Sequence, residues 1–189
     1  VMRSSLAGLE FAYGIPGSVG GAVFMNAGAY DGELSQVVQS VTVWQDGIVR
    51  EIPAAECGFS YRHSIFQDNG AVILEVKFKL QPGNAVFIRA KMDDLFRRRA
   101  EKQPLELPSF GSAFKRPQGG YASELIEKAG LKGFSVGGAQ VSEKHAGFIV
   151  NTGGATFEDV TRLIEEIRRV VKEKTGAELE PEVEILGRA

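Results

Sequence analysis

Apolar and polar positions alternate regularly from Ala71 to Leu80, which predicts a β-strand with one buried face. The apolar members that we expect on that face are Val72, Leu74, Val76, Phe78 and Leu80. Upstream, the apolar-rich stretches 41–44 and 48–52 flank Asp46-Gly47, a dipeptide typical of tight hairpin turns. The first half of the chain therefore predicts an antiparallel sheet.

Helical spacing of apolar residues appears later in the chain. Residues 85–102 and 121–129 are predicted helices, and Gly130 closes the second. Thr156, with Asp159 three positions on, predicts the capped start of a longer helix that ends at Gly176. Its apolar stripe consists of Val160, Leu163, Ile164, Ile167, Val170 and Val171. Short strands are predicted at 146–150 and 179–186.

The order of these elements favours an α+β fold, because strands come first and no regular βαβ alternation follows. Prolines and leucines between residues 103 and 109 predict a linker. We therefore expect one domain over residues 1–102 and a second over residues 103–189.

Charge and composition exclude several classes of protein. The chain has 22 Lys and Arg against 24 Asp and Glu, a balance that argues against nucleic-acid binding by bulk electrostatics. The lone cysteine, Cys57, excludes an intrachain disulfide and a four-thiolate zinc site. With no secretion signal or membrane-length apolar run in the sequence, we expect a cytoplasmic protein. Dinucleotide-binding, P-loop, hydrolase and metal-ligand motifs are also absent from the sequence.

Glycines crowd residues 14–32, which indicates backbone conformations or close approaches that a Cβ would prevent. One interpretation is a pair of tight turns between short strands. The other is a set of exposed backbone N–H groups that line a flat or anionic ligand. The spacing alone leaves both open.

Three further segments carry candidate chemistry, and each has a structural alternative. Arg62 lies among aromatic and apolar residues, so we expect it to be partly buried and to bind a carboxylate or phosphate rather than to be a solvated surface charge. Ser112 precedes the basic pair Lys115-Arg116, and it belongs either to a simple turn or to a site where its hydroxyl donates a proton. Glu182 belongs either to the solvated face of an edge strand or to a cleft in which it acts as an acid.

Five motifs follow one another along the chain: Gly-Ile-Pro-Gly-Ser-Val-Gly-Gly, Asn-Ala-Gly-Ala-Tyr, Ser-Tyr-Arg-x-Ser-x-Phe, Gly-Ser-x-Phe-Lys-Arg-Pro and Leu-Glu-Pro-Glu-Val. In this order they closely resemble the motifs of the UDP-N-acetylenolpyruvoylglucosamine reductase family of flavoproteins. The resemblance implies that NADPH reduces bound FAD, and that hydride then passes to the enolpyruvyl group of UDP-N-acetylglucosamine enolpyruvate, giving UDP-N-acetylmuramate for peptidoglycan. It implies a cytoplasmic enzyme, expected to be a monomer, with no nucleic-acid or membrane partner and no metal.

The resemblance also implies roles for individual residues. Arg62 would pair with the substrate carboxylate, Ser112 would deliver a proton to C2, and Glu182 would hydrogen-bond the intermediate. Four residues would contact the substrate: Tyr61, Lys102, Arg116 and His145. The backbone that would flank FAD comprises Gly14, Ile15, Pro16, Gly17, Ser18, Gly20, Gly21, Ala27, Gly28, Ala29 and Tyr30.

Two departures from the family pattern qualify these expectations. Some family members carry Asn at the position of Arg116, and the tyrosine-bearing insertion of one subclass is absent between Leu80 and Lys102, which places the chain in the shorter subclass. The resemblance further implies that this stretch of sequence lacks the family's N-terminal flavin-binding portion, so we expect residues 1–102 to be part of a FAD-binding domain and residues 103–189 to be a UDP-sugar-binding domain. The alternatives are a catalytically incomplete UDP-sugar-binding fragment and a related FAD-linked oxidase.

Overall fold

The computed structural model describes residues 1–185 and divides into two compact units. The first unit is Val1–Arg99 and the second begins at Ala100. The division falls within a helix, Ala85–Lys102. The boundary predicted after residue 102, and the ligand assigned to each part, stay predictions.

The strands of the first unit are β1 Leu6–Ala7, β2 Gly28–Ala29, β3 Gly32–Glu33, β4 Val38–Gln45, β5 Ile48–Pro53, β6 Val72–Phe78 and β7 Gln81–Pro82. Its helices are α1 Val19–Phe24 and the part of α2, Ala85–Lys102, that precedes Ala100. A three-stranded antiparallel sheet of order β5-β4-β6 is its main sheet. Positive φ at both Asp46 and Gly47 gives the primed turn that matches strand twist, so the predicted hairpin is confirmed. Val41 and Val43 of β4 are fully buried in the core.

Strand β6 is present as predicted, but its predicted buried face is wrong in the first half. Thr42 of β4 faces Glu75, whereas Val43 faces Ile73, so Leu74 is an extra residue in a β-bulge. The bulge reverses the alternation: Ile73 packs on the core, while Val72 and Leu74 are more than half exposed. The sequence pattern has no means of showing a bulge, because it assumes an unbroken period of two.

The strands of the second unit are β8 Ser109–Ser112, β9 Ser135–Val136, β10 Ala139–Val141 and β11 Phe148–Asn151, and its helices are α3 Ala122–Lys128 and α4 Phe157–Thr175. The two helices pack beside a four-stranded antiparallel sheet of order β8-β11-β10-β9. Thr156 and Asp159 form the predicted capping box of α4, and Gly176 ends the helix with φ +73°. Burial of Leu163, Ile167 and Val171 confirms the predicted stripe. The α+β class is thus confirmed.

The predicted strand over residues 179–186 is wrong in the described part. There, Pro181 forms an isolated bridge with Phe114, and no longer ladder follows up to Ile185. Proline lacks an N–H, which restricts the pairing of this segment. Leu186, the last residue of the predicted strand, lies outside the described residues. The sequence also missed β8, β9 and β10, which are short and have no clear alternation.

Among residues 1–185, no helix combines the length and apolar character needed to cross a membrane.

Candidate active site

Arg62 lies in a tight turn that joins Ser60 to His63 by two backbone hydrogen bonds, of 3.1 and 3.2 Å. Its φ of +54° is the left-handed conformation that the third position of a type II turn requires, normally supplied by glycine or asparagine. Such a conformation costs a larger side chain about 1–2 kcal/mol. Strain of this kind is found mainly where the surrounding structure enforces it for a purpose.

The Arg62 side chain is half-buried, as its sequence context predicts. Its Nη2 donates a hydrogen bond to the carbonyl oxygen of Gly28 at 3.4 Å, and its guanidinium lies 5.1 Å from the centre of the Tyr61 ring. This contact brings the residue predicted to bind a carboxylate to one of the two segments predicted to line the cofactor. Tyr61 itself is exposed.

The segment 27–30 belongs to a hairpin in which a two-residue turn joins β2 to β3. The turn residues Tyr30 and Asp31 have φ of +50° and +64°, which again are values that favour glycine. Gly28 is required for close approach, because a Cβ there would lie 2.7 Å from the carbonyl oxygen of Gly32. The hairpin presents Tyr30 to Arg99 of α2, whose guanidinium lies 5.3 Å from the ring centre.

Arg99 is a buried cation, only 5% exposed, that is not among the candidate residues predicted from the sequence. Its spacing could have indicated burial, because Ile88, Leu95 and Arg99 share one helical face, and all three are buried. The ideal Cβ position of Gly14 also lies 3.5 Å from Nε of Arg99. Arg99 therefore joins the two predicted cofactor segments, one through Gly14 and the other through Tyr30.

The glycine loop 14–21 leads into a helix, so the alternative of a tight turn between short strands is wrong for this loop, whereas β2 and β3 are joined by such a turn. Ser18 caps α1 by accepting a hydrogen bond from the N–H of Gly21 at 3.0 Å, and Gly20 and Gly21 belong to the first turn. Gly17 is exposed with φ +129°, and no heavy atom lies within 4 Å of the position a Cβ would take. The backbone here is open to close approach by a ligand, and the ligand itself stays a prediction.

In the second unit, the backbone segments that contain Ser112 and Glu182 pair, although 70 positions separate the two residues. Residues 113–115 pair with residues 180–182: the N–H of Glu182 donates to the carbonyl of Ala113 at 3.0 Å, and the N–H of Lys115 donates to that of Glu180 at 2.9 Å. Ser112 is the immediate neighbour of Ala113, and its hydroxyl donates to the carbonyl of Phe114 at 3.2 Å. Both side chains are half-buried.

His145 joins the same neighbourhood through the turn before β11. The N–H of Ala113 donates to the carbonyl of Gly147 at 2.8 Å, and Phe148 pairs with Ser112 across the sheet. Burial lowers the pKa of His145 below its ordinary value of 6.5, so the ring is neutral at pH 7. Its Nδ1 accepts the N–H of Gly147 at 3.2 Å, which leaves the proton on Nε2.

The two remaining candidates are exposed cations. The guanidinium of Arg116 lies 4.0 Å from the centre of the Tyr121 ring, a cation–π contact, and its Nε donates to the carbonyl of Gly120 at 3.3 Å. Lys102 is the last residue of α2. The neighbouring Lys115 is engaged with Glu180 at 2.5 Å. Within residues 1–185, no cluster of three or more His, Cys, Asp or Glu side chains lies in a metal-binding arrangement.

The structure thus assembles the predicted residues into two groups, one in each unit. In the first unit, Arg62 contacts Gly28 of the hairpin that also contains Tyr30. In the second unit, backbone hydrogen bonds join the segments that contain Ser112, Glu182 and His145. The fold and these two groups define the class, an α+β protein with candidate catalytic residues in each unit. Comparisons with known proteins give its family.

Residues 103–186 match the family model of the C-terminal domain of UDP-N-acetylenolpyruvoylglucosamine reductase. Two reductases of that name, from Limosilactobacillus reuteri and Thermotoga maritima, are 56% and 55% identical over 98% of this chain. The crystal structure of the reductase from Thermus caldophilus superposes with a TM-score of 0.86, at 39% identity and over 97% of the chain. The chain belongs to the UDP-N-acetylenolpyruvoylglucosamine reductase family.

The match covers only part of these relatives. The chain spans 62% of the Limosilactobacillus reuteri reductase, 66% of that from Thermotoga maritima and 65% of the crystallised one from Thermus caldophilus.

Proposed function

We propose that the chain supplies catalytic groups to a reductase that uses FAD and NADPH to convert UDP-N-acetylglucosamine enolpyruvate to UDP-N-acetylmuramate. Relatives named for this reductase, at 55–56% identity, support the assignment. The reaction belongs to peptidoglycan precursor synthesis, so we expect the protein in the cytoplasm, and we expect it to act as a monomer.

The residues fit FAD on structural grounds. Gly17 leaves open space where any other residue would project a Cβ, and Gly14 and Tyr30 both approach the buried cation of Arg99. The residues that would hold the group are those of the loop 14–21 and of the segment 27–30. When bound, FAD supplies the hydride that reduces the enolpyruvyl double bond at C3.

Arg62 is suited to the substrate carboxylate. Hydride addition at C3 drives negative charge through C2 toward the carboxylate oxygens, and a fixed cation there stabilises the transition state. A guanidinium presents two parallel N–H donors to a carboxylate. In the structure one nitrogen of the fork, Nη2, is directed to the carbonyl of Gly28, which orients the group.

Ser112 is suited to donate the proton that C2 must receive. Its hydroxyl hydrogen is held on the carbonyl of Phe114 at 3.2 Å, a single neutral hydrogen bond that rotation of the side chain breaks at a cost of about 1 kcal/mol. The N–H of Glu182 donates to the carbonyl of Ala113, and its carboxyl group would hydrogen-bond the developing charge.

Four further residues are proposed to bind the substrate. Lys102 and Arg116 are exposed cations suited to a diphosphate. His145, neutral with its proton on Nε2, is suited to donate a hydrogen bond, and Tyr61 presents an exposed ring and hydroxyl.

One observation carries the proposal: the pairing of residues 113–115 with 180–182, which joins the backbone of the two distant motifs that contain Ser112 and Glu182. The test is Ser112→Ala in the full-length gene product, with the two half-reactions measured separately by stopped-flow flavin absorbance. We expect reduction by NADPH to be unchanged and the reaction with the enolpyruvyl substrate to slow by about 10²–10⁴-fold, the range for a general acid.

Ser109→Ala is the matched control, because Ser109 lies in the same strand and its hydroxyl accepts only the nearby N–H of Gly111 among the described contacts. Both half-reactions should keep the parent rate in that variant. Equal slowing of the two half-reactions in Ser112→Ala would remove Ser112 from the role of proton donor.

The coverage of 62–66% of the relatives' length favours a second candidate for the 189 residues taken alone, namely a UDP-sugar-binding module without catalysis. Isothermal titration of this polypeptide with the enolpyruvyl UDP-sugar, together with its flavin content after purification, separates the two. Binding without flavin favours the module, whereas stoichiometric flavin and turnover exclude it.

A further inference from the structure

Three side chains fix the turn that carries Arg62 and tie it to the end of α1, through four hydrogen bonds. Gln67 donates from Nε2 both to the carbonyl of Arg62 at 3.1 Å and to the carbonyl of Phe24 at 2.9 Å. Ser64 donates to the same carbonyl of Phe24 at 2.7 Å, and Asn26 donates to the carbonyl of Ser60 at 2.9 Å. Among these donors, Gln67 is the one that binds Arg62 itself.

Such bonds matter because the conformation of Arg62 is intrinsically unfavourable. Without restraint, the residue would gain about 1–2 kcal/mol by leaving the left-handed region. The competing type I turn has a negative φ at this position, near −90°. The change would redirect the Cβ of Arg62, so the guanidinium would no longer reach the carbonyl of Gly28.

We propose that Gln67 is a positioning residue for Arg62: its side-chain amide, which donates to two carbonyl groups, holds the turn in the strained conformation that orients the guanidinium. The inference rests on the proposed function, in which Arg62 binds the substrate carboxylate. The side chain of Gln67 contacts the backbone carbonyl of Arg62, so its effect on the reaction passes through Arg62.

The energetic argument concerns two carbonyl groups. The half-buried side chain of Gln67 satisfies one lone pair on each of two carbonyl oxygens, and an intramolecular hydrogen bond of this type contributes about 1 kcal/mol. Two such bonds match the strain of the turn in size. Removal of the amide therefore tips the balance toward the relaxed turn.

The experiment is Gln67→Met in the full-length gene product, because methionine keeps the length of the side chain and removes the donor. Gln45→Met is the matched control: Gln45 also donates from Nε2 to a backbone carbonyl, that of Asn69 at 3.0 Å, in the same unit and with similar burial. Gln67→Lys restores a donor at comparable reach. The thermal unfolding temperature, both half-reactions and the Kd of the oxidised protein for the enolpyruvyl UDP-sugar are measured for each.

We expect Gln67→Met to slow the second half-reaction by about 10- to 100-fold, as displacement of a catalytic group by an ångström does. Substrate affinity should weaken, reduction by NADPH should not change, and the unfolding temperature should match that of Gln45→Met. Gln67→Lys should recover most of the rate. In an Arg62→Ala background, Gln67→Met should cause no further loss, because its effect requires the guanidinium.

Two outcomes overturn different parts of the reasoning. If Arg62→Ala slows the second half-reaction but Gln67→Met behaves as Gln45→Met does, the positioning role is wrong while the proposed function stands. If Arg62→Ala itself leaves that half-reaction unchanged, the role of Arg62 in the proposed function fails, and the positioning role fails with it.

Discussion

Gly28→Ala tests the hairpin that holds the acceptor of Arg62. A Cβ at this position would lie 2.7 Å from the carbonyl oxygen of Gly32 and 2.9 Å from the Cβ of Glu33, whereas ordinary contacts begin near 3.4 Å. The backbone of β3 must therefore move by about 0.7 Å, since a paired carbonyl has no flexible end that can swing aside. Overpacking of this kind costs about 1–3 kcal/mol.

Trp44 makes the cost measurable in the right part of the molecule. It is the chain's one tryptophan and lies in β4 of the same unit as Gly28, so its fluorescence follows unfolding of that unit in urea. We expect the free energy of unfolding to fall by about 1–3 kcal/mol. The second half-reaction should slow as well, because the carbonyl of Gly28 that orients Arg62 is displaced.

Gly20→Ala is the control for the loss of a glycine in the same unit. The nearest atom outside its own turn is Cγ2 of Ile73 at 3.9 Å, and the residue lies within α1. Alanine should stabilise this position by about 0.5–1 kcal/mol through helix propensity. A Gly28→Ala variant as stable as the parent would refute the claim that β2 and β3 require close backbone approach here.

Three further predictions concern single groups. Burial raises the pKa of the Cys57 thiol to about 11, so iodoacetamide at pH 8 should leave the folded protein unlabelled and label the urea-unfolded one; stoichiometric labelling of the native protein would contradict this. The lowered pKa of His145 means that the unfolded state binds the proton more tightly, so the free energy of unfolding should fall as the pH drops below 6.5. In His145→Gln, the free energy of unfolding in urea should depend less on pH in this range. The same pH dependence in the variant and the parent would argue against this role of His145. Thr156→Ala removes the cap of α4 and should lower the free energy of unfolding by about 1 kcal/mol, as read by far-ultraviolet circular dichroism, whereas Thr152→Ala should have a smaller effect.

Local chemistry explains why several elements could be predicted. Asp46-Gly47 specifies its turn through two residues that tolerate positive φ, and Thr156 with Asp159 specifies the start of α4 through a reciprocal pair of hydrogen bonds. The apolar stripe of α4 extends over enough turns to fix which face is buried. The turn and the cap each span four residues or fewer, so the sequence contains all of their partners.

The candidate site was predictable in its residue types but not in its arrangement. Arg62 was expected to be partly buried, and it is. Nothing local indicates that it occupies a left-handed turn, because the type II position normally takes glycine. Gln67 and Asn26 were missed because a polar residue that binds a backbone carbonyl 34 or 43 positions away has no periodic signal.

The sequence by itself determined the hairpin of β4 and β5, the helices α2, α3 and α4, the α+β class and the family, since turns, caps and ordered motifs are local properties. Only the tertiary structure decided the bulge at Leu74, the contact of Arg62 with Gly28 and the pairing of Glu182 with Ala113, the neighbour of Ser112. Each of these depends on the register between segments far apart in the chain. Register is fixed by the packing of the whole unit, so it cannot be predicted from local sequence patterns.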